Sequence, residues 1–208
     1  SCVPISDDML PYHESFENWA TGAFDPCYVA TNNHTSTANY PSVNSNYHTD
    51  GLKSLYLYST AGYATWLAFP AFESDINSLQ VSFDIYKTTV SDYPLLVGVM
   101  SDRNDISTFD TITTVRCDEA STWKHFNIPL SLYEGNGLYI AFVSPNGVAS
   151  SNYIDNIVVE NLSACPDPIE CEITNIEETS ITLEWQSTGA SNYIIEYGEM
   201  GFIPATGM

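Results

Sequence analysis

Leu79 to Tyr86 reads LQVSFDIY, with Leu79, Val81, Phe83 and Ile85 alternating with Gln80, Ser82, Asp84 and Tyr86. A period of two over a whole segment is the mark of a half-buried antiparallel strand. Ser54 to Ser59 (SLYLYS) repeats it, with Leu55 and Leu57 in one phase and Tyr56 and Tyr58 in the other. Leu95 to Met100, Thr111 to Val115, His125 to Ile128, Leu138 to Val143 and Tyr153 to Glu160 follow the same grammar. Turn signals separate them: Ser91-Asp92, Asp102 to Asp105, Gly135-Asn136-Gly137 and Pro145-Asn146-Gly147. No stretch carries a 3.6-residue period. Many short strands without crossover helices predict an all-β fold, an antiparallel sandwich. The first 50 residues are loop-rich, with Asn, Ser, Thr and Tyr dominating Thr31 to Thr49.

The pattern breaks between Asn161 and Glu170, where Ala164-Cys165-Pro166-Asp167-Pro168 forms a stiff joint that no central strand tolerates. Two units are therefore expected, 1–162 and 163–208. In the second, Ser180 to Gln186 (SITLEWQ) puts Ile181, Leu183 and Trp185 in one phase, and Asn192 to Tyr197 (NYIIEY) reads as a further strand.

Charge narrows the list of partners. With 26 acidic and 5 basic residues the formal charge is −21. Such a surface repels phosphate backbones and anionic lipid, so neither nucleic acid nor a membrane surface is an expected partner. No apolar run is long enough to span a bilayer. The five cysteines (Cys2, Cys27, Cys117, Cys165, Cys171) lack a Cys-x-x-Cys or zinc spacing. Cys165 with Cys171, or Cys27 with Cys117, are open pairings, and free buried thiols are the default expectation.

Several stretches, in order, carry a resemblance. They are Pro11 to Trp19 (PYHESFENW), Asp50 to Leu57 (DGLKSLYL), Leu79 to Tyr86, Val97 to Asp102 (VGVMSD), Trp123, Gly137 to Phe142 (GLYIAF) and Tyr153 to Ile157 (YIDNI). Together they resemble the cleaved adhesin modules of gingipain-type secreted proteins of Bacteroidetes, and more distantly MAM-type jelly rolls. Residues 163–208 resemble the start of a fibronectin type III domain, with Pro-led first strand, a tryptophan (Trp185) closing the second, and Tyr193 and Tyr197 on a third. The resemblance implies a jelly-roll β-sandwich followed by a partial immunoglobulin-like (fibronectin type III) sandwich, in a fragment of a larger secreted or cell-surface protein. One departure stands out. Where those modules carry a Gly- and Asp-rich loop, Thr21 to Asn46 is rich in Asn, Thr, Ser and Tyr.

Candidate chemistry follows. In jelly rolls of this kind the first and last strands are neighbours, which would bring Glu14 and Glu17 of the opening strand towards Asp155 of the closing one. Asp50, before Gly51, is a loop contributor. The resemblance implies a structural calcium ion there, held by oxygen ligands, with Asp155 foremost. The plainer reading has the glutamates solvated and Asp155 capping a turn. For catalysis, the four histidines are dispersed, and no nucleophile elbow or phosphate-cradling glycine loop is present. No catalytic residue is assigned, and the chain is not expected to be an enzyme. For binding, Tyr40, Tyr47, Tyr63 and Trp66 stand among small polar residues, a setting suited to stacking sugar rings or to a protein partner. The expected function is a non-catalytic extracellular adhesion or ligand-binding module for carbohydrate or host protein. The alternatives are a structural spacer between other domains and, further off, a glycoside hydrolase.

Overall fold

The structure, a computed structural model, describes residues 2–20, 23–34, 40–90, 94–147, 149–198 and 202–203. Thirteen strands are found among them: β1 (Tyr12–Glu14), β2 (Val29–Asn32), β3 (Ser42–Asn44), β4 (Ser54–Ser59), β5 (Thr65–Ala68), β6 (Leu79–Tyr86), β7 (Leu95–Met100), β8 (Phe109–Val115), β9 (Trp123–Pro129), β10 (Tyr139–Ser144), β11 (Ser150–Asn161), β12 (Ile169–Ile176) and β13 (Ile181–Gln186). Helical segments among the described residues are three short 3-10 turns, at Asp7–Met9, Ile76–Ser78 and Ile106–Thr108. No helix there is long and apolar enough to cross a membrane.

Eleven of the strands stack as two sheets. One has the order β3-β4-β11-β6-β9, with β1 also paired to β11, and the other has the order β2-β5-β10-β7-β8. From β4 to β11, each consecutive pair of strands (β4 and β5, β6 and β7, β8 and β9, β10 and β11) splits between the two sheets. That is the connectivity of a jelly roll. The alternating residues read from the sequence do what alternation predicts. Leu55, Leu57, Val81, Phe83, Ile85 and Ile154 from one sheet meet Leu67, Leu95, Val97, Val99, Ile140 and Phe142 from the other in one continuous core. At one end a polar pin joins the layers: the Ser59 and Ser144 hydroxyls lie 2.7 Å apart, and Asn152 Nδ2 donates to Ser144 Oγ at 3.0 Å.

Strand β11 changes partner on one side halfway along. Its first half pairs β4 through Ile154, and its second half pairs β1 from Ile157 to Val159. A bulge sits at the handover, where the register against β6 shifts between Asp155 and Val158 and Asn156 takes φ 50°. The extra residue returns Ile157 and Val159 to the core after Ile154, a phase change that simple alternation through this strand would miss.

The five-stranded sheet is apolar on both faces. Trp66, Ala68, Met100, Ala141 and Val143 form a second, smaller cluster on its outer side, packed with Leu96, Ile106, Phe109 and Tyr139. The turn after β7 closes over them: Trp66 Nε1 donates to the Arg103 carbonyl at 3.1 Å, and the Arg103 guanidinium sits 5.6 Å from the Tyr139 ring centre. Apolar runs such as LLVGVM arise because both phases of the strand are covered. In that turn Asp102 and Asp105 accept the amides of Asn104 and Ser107, as ordinary turn residues do.

Several expectations are corrected. The loop-rich start contains the short strands β1, β2 and β3. Glu17 lies beyond the opening strand, after Phe16 has turned the chain at φ 63°. Cys2 pairs with Cys27, at a Cα separation of 5.2 Å, leaving Cys117 buried and Cys165 and Cys171 exposed as free thiols. The Ser91-Asp92 turn signal lies outside the described residues. Asn192 to Tyr197 forms no strand. Trp185, which a fibronectin-like second strand would bury, is 38% exposed, because β12 and β13 make a two-stranded sheet with no opposing layer among the described residues. The hairpin touches the sandwich through its joint: Asn127 Nδ2 donates to Asp167 at 3.0 Å, and Ser131 Oγ donates to the Thr188 carbonyl at 2.6 Å.

Candidate ligand-binding face

The outer face of the six-stranded sheet carries a row of aromatic side chains. Tyr56, Tyr153, Tyr86 and Trp123 are direct cross-strand partners in β4, β11, β6 and β9. Each belongs to the phase opposite the core residues of its strand. Tyr56 and Tyr153 stack at 4.4 Å between ring centres and 20° between planes, and Tyr86 lies 5.4 Å from Trp123. Three strand spacings separate the ends of the row, about 14 Å. Tyr58 follows Tyr56 in the same phase of β4, opposite Ser151.

Two loop tyrosines cover this row. Tyr47 stacks on Tyr86 at 4.3 Å and 21°, and meets Tyr153 edge-on at 4.8 Å. Tyr40 packs at 5.3 Å from Tyr56 and 4.8 Å from Tyr58. Tyr86 and Tyr153 are consequently buried, while Tyr47 is exposed and Tyr40, Tyr56, Tyr58 and Trp123 are half-buried. Hydroxyls line the strip. The Tyr56 and Ser151 hydroxyls are 3.0 Å apart, and burial pushes the Tyr56 phenol up. The Tyr47 phenol is also pushed up, first by the neighbouring Tyr86. Both remain protonated donors at neutral pH.

Of the four aromatics singled out in the sequence, the fold therefore separates two from two. Tyr40 and Tyr47 belong to this face. Trp66 is 3% exposed inside the smaller cluster on the other sheet, and Tyr63 is buried with its ring 4.6 Å from His34. Sequence reasoning missed Tyr56, Tyr58, Tyr86, Tyr153 and Trp123 as site residues. The signal was present, since all but Trp123 occupy the non-core phase of strands read correctly, but their alignment into one row depends on strand order.

Two residues along the same strands lies a second row, with Asp155 opposite Asp84 and Asp84 opposite His125. His125 Nδ1 and Asp84 Oδ1 are 2.8 Å apart. Asp155 is fully buried and clasps the loop before β4. Its Oδ2 accepts the amides of Thr49 at 2.7 Å and Asp50 at 3.0 Å, and its Oδ1 accepts that of Asn156 at 2.7 Å. Glu17 holds the same loop from its other end, where Oε1 accepts the Leu52 and Lys53 amides at 2.8 and 2.6 Å. Lys53 Nζ returns to the carbonyls of Glu17 and Trp19. Gly51, at φ 60°, lies under the Glu17 side chain, where a Cβ would come within 2.3 Å of its carboxyl carbon. The loop fills the gap in the sheet where β11 passes from β4 to β1.

Of the four acids considered for calcium, Asp155, Glu17 and Asp50 thus converge on one loop, Asp50 through its amide. Glu14 stands apart. Its carboxylate accepts Phe16 N at 2.6 Å and both Trp19 Nε1 and Tyr28 OH at 3.1 Å, and burial pushes its pKa up. Among the described residues no three His, Cys, Asp or Glu side chains come together to hold a metal ion. A cation beside Glu17 and Asp155 would have to draw main-chain carbonyls into its shell.

A concavity of about 610 Å³ lies elsewhere, along the tail, with Cys171, Ile173, Leu183, Trp185 and Ile194 on its walls. It lies between the apolar face of the β12–β13 hairpin, the joint before it and the segment 192–196 after it.

No protein-family model matches the chain, and no curated protein matches it in sequence. Solved structures do match. The K1 cleaved adhesin domain of Lys-gingipain from Porphyromonas gingivalis is 15% identical with a TM-score of 0.52, over 73% of this chain and 98% of that domain. The K2 cleaved adhesin domain of Lys-gingipain is 14% identical, also at 0.52, over 71% and 98%. An arabinose-bound α-L-arabinofuranosidase is 12% identical at 0.50, over 70% of this chain but 25% of the enzyme. At these identities what is shared is the fold: the chain has the all-β, antiparallel sandwich architecture of the gingipain cleaved adhesin domains.

Proposed function

We propose that this chain is a non-catalytic extracellular module that binds a ligand, carbohydrate or an extracellular host protein, on the outer face of its six-stranded sheet. The observation that carries this reading is the aromatic row Tyr56–Tyr153–Tyr86–Trp123, overlaid by Tyr40 and Tyr47. A sheet face meant only for solvent has no use for a strip of this kind, and rings with hydroxyl neighbours suit sugars and protein side chains alike. The likeness in fold to adhesin domains agrees with it. The arabinofuranosidase likeness spans a quarter of that enzyme and supports no catalytic role here. The Cys2–Cys27 disulfide supports an oxidising, extracellular setting.

Glycan-array binding followed by calorimetry on the full chain tests the reading, with Trp123→Ala and Tyr58→Ala as face variants. Binding to a glycan or protein that both variants weaken at unchanged melting temperature is the expected result. Absence of any ligand at millimolar concentration leaves the spacer function in its place.

Calcium is a separate proposal for the Glu17 and Asp155 loop. A bound ion stabilises the native state by mass action, so a chelator lowers the melting midpoint and added calcium restores it. An unchanged midpoint removes the ion.

A further inference from the structure

Resting on the ligand face just described, we propose that it takes a linear, uncharged glycan, laid across the strands, and rejects acidic glycans.

The shape of the face argues for a chain of sugars over a protein partner. Its aromatic strip is a single row, about 14 Å long, whereas a stable protein interface asks for roughly 800 Å² on each partner. The strip crosses β4, β11, β6 and β9 at right angles to the strands. Tyr47 lies over Tyr86 and Tyr153 in the middle of the row, so a ligand along it runs over Tyr47 between the rings of Tyr56 and Tyr58 at one end and Trp123 at the other, a path that suits a narrow, extended chain. Rings at Tyr58, Tyr56 and Trp123 supply apolar contact for pyranose faces. The Ser151, Tyr56 and Tyr47 hydroxyls supply neutral donors and acceptors at the edges.

Charge argues for the absence of acid on the ligand. The second row, Asp155, Asp84 and His125, runs parallel to the aromatic strip one side-chain step away. Its only basic member, His125, is already engaged by Asp84. The chain's cations are committed elsewhere. Lys53 binds the main-chain carbonyls of Glu17 and Trp19, Arg103 that of Cys27, and Lys124 the carboxylates of Asp118 and Glu119. Lys87 is buried, and Arg116 follows β8 in the other sheet, beside the joint. A uronate or sulfate placed on the strip would lie beside the Asp84 carboxylate, which already holds the one basic group of that row, within a field set by a net charge of −21. An uncharged hexose or pentose chain meets no such penalty.

The test compares soluble polysaccharides of two classes on the full chain by calorimetry and affinity electrophoresis. One class is neutral (β-glucan, galactan, xylan backbone) and the other polyanionic (polygalacturonate, alginate, a sulfated glycan). At least one neutral chain should bind, with every polyanion at least about tenfold weaker at low salt and the gap narrowing as salt screens the face. Trp123→Ala and Tyr58→Ala should each weaken the neutral ligand by about tenfold or more at an unchanged melting temperature, while Asp84→Asn should raise polyanion binding. A polyanion that binds as tightly as any neutral chain at low salt overturns the charge selection while the ligand face stands. A protein ligand with no glycan of either class overturns the glycan assignment. Silence from all ligands removes the ligand face itself, and this inference with it.

Discussion

Asp155 Oδ2 accepts the Thr49 amide at 2.7 Å across 106 residues of chain. That bond ties the loop before β4 to β11 at its bulge, and two more amides, from Asp50 and Asn156, share the same carboxylate. Asp155→Ala leaves three backbone donors without their acceptor, at about 1–3 kcal/mol for each that stays buried. A loss of about 3 kcal/mol or more in urea unfolding is expected. Asp155→Asn keeps one acceptor oxygen and should lose less. Equal losses in the two variants would mean the carboxylate clasp is not what holds the loop.

Trp66 and Tyr58 separate packing from recognition. Trp66 fills the cluster under the Arg103 turn, so Trp66→Ala should cost about 3–5 kcal/mol, with ligand affinity retained at temperatures where the variant stays folded. Tyr58→Ala should show the reverse, with little change in the melt and weaker ligand binding. Loss of affinity in a folded Trp66 variant would move the ligand site to the other sheet.

Thiol counting checks the cysteine assignment. Ellman's reagent should titrate Cys165 and Cys171 in the native protein and reach Cys117 only after denaturation. Cys2→Ser opens a 25-residue link and should lower stability by about 3 kcal/mol. It also makes Cys27 titratable. A Cys2 variant with no new reactive thiol after unfolding would refute the pairing.

Glu14 carries a pH signature. Burial raises its native pKa above the unfolded value, so the native state holds that proton to higher pH than the unfolded chain does. Its stabilising contribution is full below the unfolded pKa and is lost as pH rises through the native one. Glu14→Gln cannot ionise. The stability of the wild type relative to Glu14→Gln should therefore fall as pH rises above the ordinary carboxylate range. A difference that grows with pH would show that the bonds from Phe16, Trp19 and Tyr28 outweigh burial.

The core strands were legible because their signal is local. In β4, β6 and β7 the phase that faces the core is written in adjacent residues, and the ends read from sequence coincide with those observed. Strand β5 (TWLA) was missed because all four of its residues are buried and nothing alternates. β2 and β3 were missed because three or four residues carry too little pattern to read, whereas β1 was reached through the resemblance of its opening stretch. In the tail, Ser180 to Gln186 was read well, whereas Asn192 to Tyr197 has strand-like composition but pairs with no strand among the described residues.

The candidate site was legible in its chemistry and not in its placement. Tyr40 and Tyr47 were picked with Tyr63 and Trp66 because all four share the same polar surroundings in sequence. Only the fold sets Tyr40 and Tyr47 over one sheet, buries Trp66 on the other, and packs Tyr63 against His34 at the turn after β4.

Sequence alone determined that this chain is an antiparallel all-β sandwich, because alternation depends on residues two apart and survives any arrangement of the strands. It also determined the acidic field that constrains any ligand. Tertiary structure decided that Tyr56, Tyr153, Tyr86 and Trp123 form one row, that Cys2 meets Cys27, and that Asp155 clasps Thr49. Each of those relations joins residues far apart in the chain. Each is set by which strand lies beside which, a choice made by the burial of the whole core and not by any local run of residues.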